Sequence, residues 1–257
     1  MLSLIKYPGA IPIAQLEGGK LHGQKLYIVT NEYEGAKGVG KKEFSHTDKS
    51  AKIRQIPIKK KNNREILYIA GPSGAGKSTY VNDFVGKYKK KNPKSDIYLF
   101  SRVENDESLD KLQPIRIKIN EELLEDPVNI LEEVNDGDLV IFDDTDTLSD
   151  KNLLKAVNQI KHDILETGRH KNICCVITSH LINGNDKKDM RTIFNEAHTI
   201  TIFPNSGNKH GMNYMLNNYL GIPKKRADEL LKTKSRYLTF STTAPNYVLS
   251  EDKVELL

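Results

Sequence analysis

The stretch Ile66-Leu-Tyr-Ile-Ala-Gly-Pro-Ser-Gly-Ala-Gly-Lys-Ser-Thr79 decides the fold. Ile66–Ala70 is a short apolar run of the buried-strand type. It feeds directly into Gly71–Ser78, which fits G-x-x-x-x-G-K-[ST] at every fixed position. A helix is expected from there to about Lys91, where Asn92-Pro93 stops it. Each residue type in the loop answers a need of a polyphosphate. Glycines at 71, 74 and 76 let the backbone turn tightly, so that its N–H groups converge on an anion. The helix N-terminus adds partial positive charge at the same place. Lys77 is placed to reach β- and γ-phosphates, Ser78 offers a hydroxyl to Mg²⁺, and Thr79 faces the α-phosphate. The cradle therefore comprises Gly71, Pro72, Ser73, Gly74, Ala75, Gly76, Lys77, Ser78 and Thr79, with ATP and Mg²⁺ as the expected ligands. No motif separates ATP from GTP. Upstream, Gly35–Lys42 repeats the glycine and lysine spacing but ends in Lys42 where a hydroxyl is needed, with no apolar helical stripe after it. It reads as a basic loop.

Further along the chain, Leu139-Val-Ile-Phe-Asp-Asp144 is an apolar run that ends in two carboxylates, the Walker B arrangement. Asp143 is expected to hold Mg²⁺, together with Ser78. Asp144 is expected to orient and deprotonate an attacking water, with Asp146 as the second candidate for that base. The apolar strand Ile173–Ser179 leads into His180. It is expected beside the P-loop strand, with Ser179 or His180 reporting on the γ-phosphate. Arg169, in the turn before that strand, is the candidate arginine for a nucleotide in a neighbouring subunit, with Arg191 and Arg236 as alternatives.

Strands alternating with helices predict an α/β protein, a three-layer P-loop NTPase sandwich with a mainly parallel central sheet. An extra strand is expected between the P-loop and Walker B strands, assigned to Ile97–Ser101, with Ile115–Ile119 as an edge strand. Helices are expected over Glu121–Val134, Asp150–Glu166, Gly211–Leu220 and Pro223–Thr233, and strands at His198–Phe203 and Arg236–Ser241. This divides the chain into a basic N-terminal extension (1–62, with one strand near Leu26–Thr30), an ATPase domain (63–243) and a tail (244–257).

The 257 residues are 37% hydrophobic and 28% charged, which fits a globular chain and excludes a disordered one. No apolar run approaches the roughly 20 residues of a membrane span, and no signal peptide is legible, so no membrane association and a cytoplasmic location are expected. The adjacent Cys174 and Cys175 read as buried reduced thiols. The net charge of +5 is concentrated in two places. One is the segment before the P-loop, including Lys59, Lys60 and Lys61. The other is Lys87–Lys94. Such clusters suit a phosphate backbone or a solvated face equally.

Taken together, GPSGAGKST (71–79), DLVIFDD (138–144) and ETGRHKNICCVITSH (166–180) resemble the genome-packaging ATPases of the large nucleocytoplasmic DNA viruses, within the FtsK–HerA superfamily of P-loop NTPases. The resemblance covers roughly Glu65 to Thr243, and Gly-Arg-His-Lys-Asn before an apolar strand is its most specific part. It implies an ATP-driven motor that assembles as a homo-oligomeric ring and moves double-stranded DNA. It also implies Arg169 acting in trans, docking on a viral capsid or portal component, and residence in the host cytoplasm, the virus factory or the virion. A P-loop kinase acting on a small molecule and a nucleotide-gated interaction protein are the alternative readings.

Overall fold

The computed structural model describes residues 1–40, 42–57, 64–125, 129–182 and 187–257. Lys41 and Lys59–Lys61 of the basic runs, and positions 126–128 of the expected Glu121–Val134 helix, lie outside the described residues.

In the N-terminal part the strands are β1 (Leu2–Ser3), β2 (Ile11–Glu17), β3 (Lys25–Ile28), β4 (Val39–Gly40), β5 (Glu43–Ser45) and β6 (Lys52–Gln55). All but β5 form an antiparallel sheet of order β4-β1-β3-β2-β6. The expected extension with one strand is therefore a folded sheet. Its apolar residues come in short runs, such as 10–14 and 26–29, set among glycines and lysines. They are buried only because Ile13, Leu16, Leu26, Ile28 and Ile53 pack onto the main sheet.

That main sheet is built from β7 (Ile66–Ala70), α1 (Lys77–Lys91), β8 (Ile97–Ser101), β9 (Ile115–Ile117), α2 (Glu122–Glu125), α3 (Ile130–Glu133) and β10 (Leu139–Asp143). There follow α4 (Lys151–Thr167), β11 (Cys174–Ser179), α5 (Lys187–Glu196), β12 (Thr199–Ile202), α6 (Lys209–Asn218), α7 (Lys224–Leu230), β13 (Leu238–Ser241), β14 (Tyr247–Leu249) and β15 (Lys253–Leu256). The strand order is β5-β15-β14-β13-β12-β7-β11-β10-β8-β9. From β12 to β9 every pairing is parallel, and from β12 outward to β5 every pairing is antiparallel.

Three expectations change here. The strand that lies between the P-loop strand β7 and the Walker B strand β10 is β11. Ile97–Ser101 pairs on the far side of β10. The helix expected over Glu121–Val134 is two short pieces, α2 and α3. The residues expected as a tail, 244–257, supply β14 and β15, and β5 pairs with β15. The hydrogen bonding thus crosses both expected domain boundaries.

Alternation along β7 divides the interior in two. Ile66, Tyr68 and Ala70 face a core completed by α4, α5, α6 and α7. Leu67 and Ile69 face a core completed by α1, through Tyr80, Val81, Phe84, Val85 and Tyr88, and by the N-terminal sheet. Each such buried side chain contributes about 1.5–3 kcal/mol. Helix α4 places Val157, Ile160, Ile164 and Leu165 on one buried stripe, and the Asp150 carboxylate caps it by accepting the N–H groups of Asn152 and Leu153. Cys174 and Cys175 are buried and unbridged. Burial pushes their thiols up, to about 11 and about 12. Among the described residues, no helix is long and apolar enough to cross a membrane.

Candidate active site

Parallel strands deliver their C-terminal ends to one edge of the sheet, and here that edge opens into a pocket of about 790 Å³. Strand β7 ends at Ala70, and the loop after it turns into α1 through Gly76, at φ 108°. Gly71 is required for space and Gly76 for its torsion. A Cβ on Gly71 would lie 2.8 Å from the Phe203 ring, and one on Gly76 would lie 2.9 Å from Arg236 Nη2. The N–H groups of the first turn of α1 have no acceptor within the helix and point to the pocket mouth. Ser73, Gly74, Gly76, Lys77, Ser78 and Thr79 line it. Gly71, Pro72 and Ala75 instead brace the loop: Gly71 N–H donates to Ser179 O (3.0 Å) and Ala75 N–H to Pro72 O (3.2 Å).

Lys77 is 6% exposed. Its Nζ donates to Gly71 O at 3.0 Å and lies 3.2 Å from Asp144 Oδ2. The same Asp144 oxygen is 2.7 Å from His180 Nε2. Asp144 adopts φ 48°, a left-handed conformation that turns its side chain out of the strand and into the pocket. Asp143 is 5% exposed and is held from both neighbouring strands, with Ser101 Oγ 3.2 Å from Oδ2 and Thr178 Oγ1 2.8 Å from Oδ1. Burial pushes its carboxyl above the ordinary range. The Thr178 hydroxyl opposes that shift, and the Asp144 charge reinforces it. A buried carboxylate facing the pocket beside the Ser78 hydroxyl is a donor set of hard oxygens, which fits Mg²⁺ completed by water and phosphate oxygens. Ser78 and Asp143 are the residues that would hold it.

Ser179 and Asp146 take a different part from the one expected. Ser179 Oγ donates to Asp146 Oδ2 (2.7 Å), and the same oxygen accepts the His180 N–H (3.2 Å). Both side chains line a cavity behind the pocket, among Tyr68, Lys161 and Met190. Asp146 therefore braces the turn that carries His180, whereas Asp144 and His180 face the nucleotide cradle. Arg169 sits in the turn before β11, exposed, at the opposite end of that strand. It is separated from the pocket by the six-residue strand β11, about 20 Å long. It does not line the pocket of its own chain, nor does Arg191, which is exposed on α5. Arg236 does line it.

Two contributors went unread in the sequence. Thr178 is the hub of the carboxylates: its hydroxyl oxygen accepts the Asp144 N–H (2.9 Å) and lies 2.8 and 3.0 Å from Asp143 and Asp144 oxygens. A threonine closing an otherwise apolar strand was the available signal. The loop after β8 brings Arg102, Asp106 and Glu107 over the mouth. Its shape comes from Asp106 and Asp110 accepting nearby N–H groups and from Arg116 pairing with Asp110, which no motif announces.

A strand, phosphate-binding loop and helix, a neighbouring strand ending in Asp143-Asp144, and a third strand between them define an α/β protein of the P-loop NTPase class. No protein-family model matches the sequence. It is 44% identical over 246 residues to protein V3 of Sputnik virophage, across 96% of this chain and 95% of that protein, and it belongs to the family of that virophage protein. In fold it is similar to B204, the DNA-packaging ATPase from Sulfolobus turreted icosahedral virus, with a TM-score of 0.50, 15% identity, and 74% of this chain and 98% of that chain covered. It is also similar to the pCW3 conjugation coupling protein TcpA in its monomer form with ATPγS, with a TM-score of 0.53, 14% identity, and 94% of this chain and 77% of that chain covered. The structural neighbours thus include a viral genome-packaging ATPase, the class that the motifs resemble.

Proposed function

We propose that this chain is an ATP-hydrolysing motor that assembles as a ring and moves double-stranded DNA during viral genome packaging, docked on a capsid or portal component. The observation that carries the hydrolytic part is the row Lys77–Asp144–His180, spaced 3.2 and 2.7 Å, at the mouth of the cradle and beside buried Asp143. When ATP enters, Lys77 exchanges Asp144 for the β and γ oxygens. Asp144 then orients a water in line with the γ-phosphorus. The water oxygen bonds to phosphorus, the bond to the β–γ bridging oxygen breaks, and the water proton passes to Asp144. The products are ADP and phosphate. Ser78 and Asp143 would hold Mg²⁺, which would supply charge neutralisation to the phosphates. His180 holds Asp144 in place and, through the turn braced by Ser179 and Asp146, carries the state of the γ-phosphate to the domain.

Translocation of DNA rests on the likeness to B204 and TcpA. The run of lysines that ends α1, Lys89–Lys91, adds charge of the right sign. Ring assembly gives Arg169 a role that its distance from its own pocket denies it within one chain: it would serve the neighbour's γ-phosphate. The kinase reading wants several arginines over the transferred phosphate. The loop after β8 offers only Arg102 to the pocket, places Asp106 and Glu107 beside it, and engages Arg116 with Asp110. A negatively charged acceptor is poorly served there.

Steady-state ATP hydrolysis with and without duplex DNA at moderate salt tests the proposal. Turnover that rises with DNA and is abolished in Asp144→Asn is expected. Turnover indifferent to DNA, appearing only with a small phosphate acceptor, would transfer the site to the kinase class.

A further inference from the structure

Arg236 is an exposed side chain on a rigid backbone. Its neighbours Ser235 and Tyr237 are 5% and 2% exposed. The Arg236 N–H donates to Glu251 Oε2 at 3.1 Å, and Glu251 N–H donates to Ser235 Oγ at 3.0 Å. Asn205 Nδ2 donates to Ser235 O at 2.9 Å, and Tyr237 OH donates to Ile53 O of the N-terminal sheet at 2.8 Å. Glu251 also takes Lys52 of β6 at 2.9 Å, so this carboxylate ties the N-terminal sheet to the backbone of Arg236. The outcome is directional. The guanidinium is laid against Gly76, within 2.9 Å of the position a Cβ would occupy there, and has no hydrogen bond or ion pair among the described residues. The other arginine in the pocket, Arg102, donates to Thr147 O.

The sheet order says which part of a nucleotide Arg236 meets. It precedes β13, two strands from β7 on the side away from β11 and β10. At about 4.8 Å per strand, that is about 10 Å from β7 and about 19 Å from β10, the strand that carries Asp144. Attack on the γ-phosphate belongs to the Asp144 and His180 side. The remainder of the nucleotide must extend toward Thr79 and Arg236.

We infer that Arg236 binds the α,β-diphosphate of the nucleotide in cis, and that Glu251 is its positioning residue. Resting on the nucleotide reading of the pocket, this makes Arg236 an affinity group for ADP and ATP alike and separates it from transition-state arginines. The backbone that carries the guanidinium is already fixed, its donors are uncommitted, and its fork matches phosphate oxygens.

Calorimetric titration of ADP and of ATPγS, each with Mg²⁺, into the wild type, Arg236→Ala, Arg236→Lys and Glu251→Gln tests the inference, with kcat and KM for ATP measured alongside. The Arg236 side chain is exposed, so its variants should melt with the wild type. Arg236→Ala is expected to weaken both ligands by a similar factor, roughly ten- to a hundredfold, the scale of charged hydrogen bonds. Its kcat at saturating ATP should stay within about threefold. Arg236→Lys should recover part of the affinity. Glu251→Gln should raise KM by a smaller factor and add little in the Arg236→Ala background. Weakening confined to ATPγS, or a large loss of kcat with ADP binding intact, would make Arg236 a γ-phosphate group and overturn the assignment. Unchanged affinity for both ligands would also overturn it. A wild type that binds neither ligand would instead remove the nucleotide reading beneath it.

Discussion

The two ends of the parallel strands carry comparable amounts of charge and use it differently. At the C-terminal edge, Lys77, Asp143, Asp144, His180 and Arg236 converge on open space. At the N-terminal edge, Arg64 donates to the carbonyls of Ile164 and Leu165 at the end of α4 and pairs with Glu196 at 3.1 Å, while His198 Nδ1 accepts the Ile66 N–H at 3.0 Å. One edge leaves donors and carboxylates facing an anion-sized gap. The other engages Arg64 and His198 with protein partners. The difference teaches that a charged group in this fold is read by what is missing around it, and that a residue's type says less.

The largest effect should come from the open edge. Lys77→Ala should lower ATP turnover on the order of 10³-fold and weaken nucleotide binding, measured by phosphate release, with the melting temperature little changed. Arg169 is the point where the comparison is sharpest, since it lies at the closed edge yet is exposed. Arg169→Ala should retain ATP binding and lose turnover on the order of 10³-fold under conditions where the ring forms. Equal turnover would return it to the surface residues of that edge.

Substitutions at the closed edge should act on stability alone. Arg64→Ala removes the side-chain donor to the Ile164 and Leu165 carbonyls and the partner of Glu196. It should cost about 2–3 kcal/mol and lower Tm by roughly 5–10 °C, with ADP affinity unchanged. His198 gives the smallest effect. Burial, aided by the nearby Arg64 charge, holds its imidazole below the ordinary range. A depressed folded value means that the unfolded chain takes up the proton first. Stability is therefore full above about pH 6.5 and declines as pH falls below it toward the folded value. Tm measured across that window should show the slope, and His198→Asn should flatten it.

The open edge was legible because its residues are chemically constrained. Gly71–Ser78 and Asp143-Asp144 have few other uses at the ends of apolar strands, and β7, α1, β8, β10, α4, β11, β12 and β13 follow from apolar runs and helical spacing. The N-terminal sheet was not. Leu16 and Ile53 are single apolar residues between polar ones, Ile13 sits in a short run broken by Pro12, and only the distant face of β7 and α1 makes them core. Helix α5 escaped because its three apolar residues, Met190, Ile193 and Phe194, are set in a short, mostly polar segment. Choosing between Asp144 and Asp146 needed the left-handed turn at Asp144, and placing Arg236 needed the return of β13 beside β12. Both are products of tertiary pairing that no local stretch encodes.

Amide hydrogen exchange of the wild type, with and without ATPγS and Mg²⁺, tests the contrast between the edges most directly. New protection is expected in 71–80, 143–147 and 178–181, with the amides of Ile66 and His198 unchanged. Protection absent from the phosphate-binding loop, or centred on the closed edge around Ile66 and His198, would contradict that contrast.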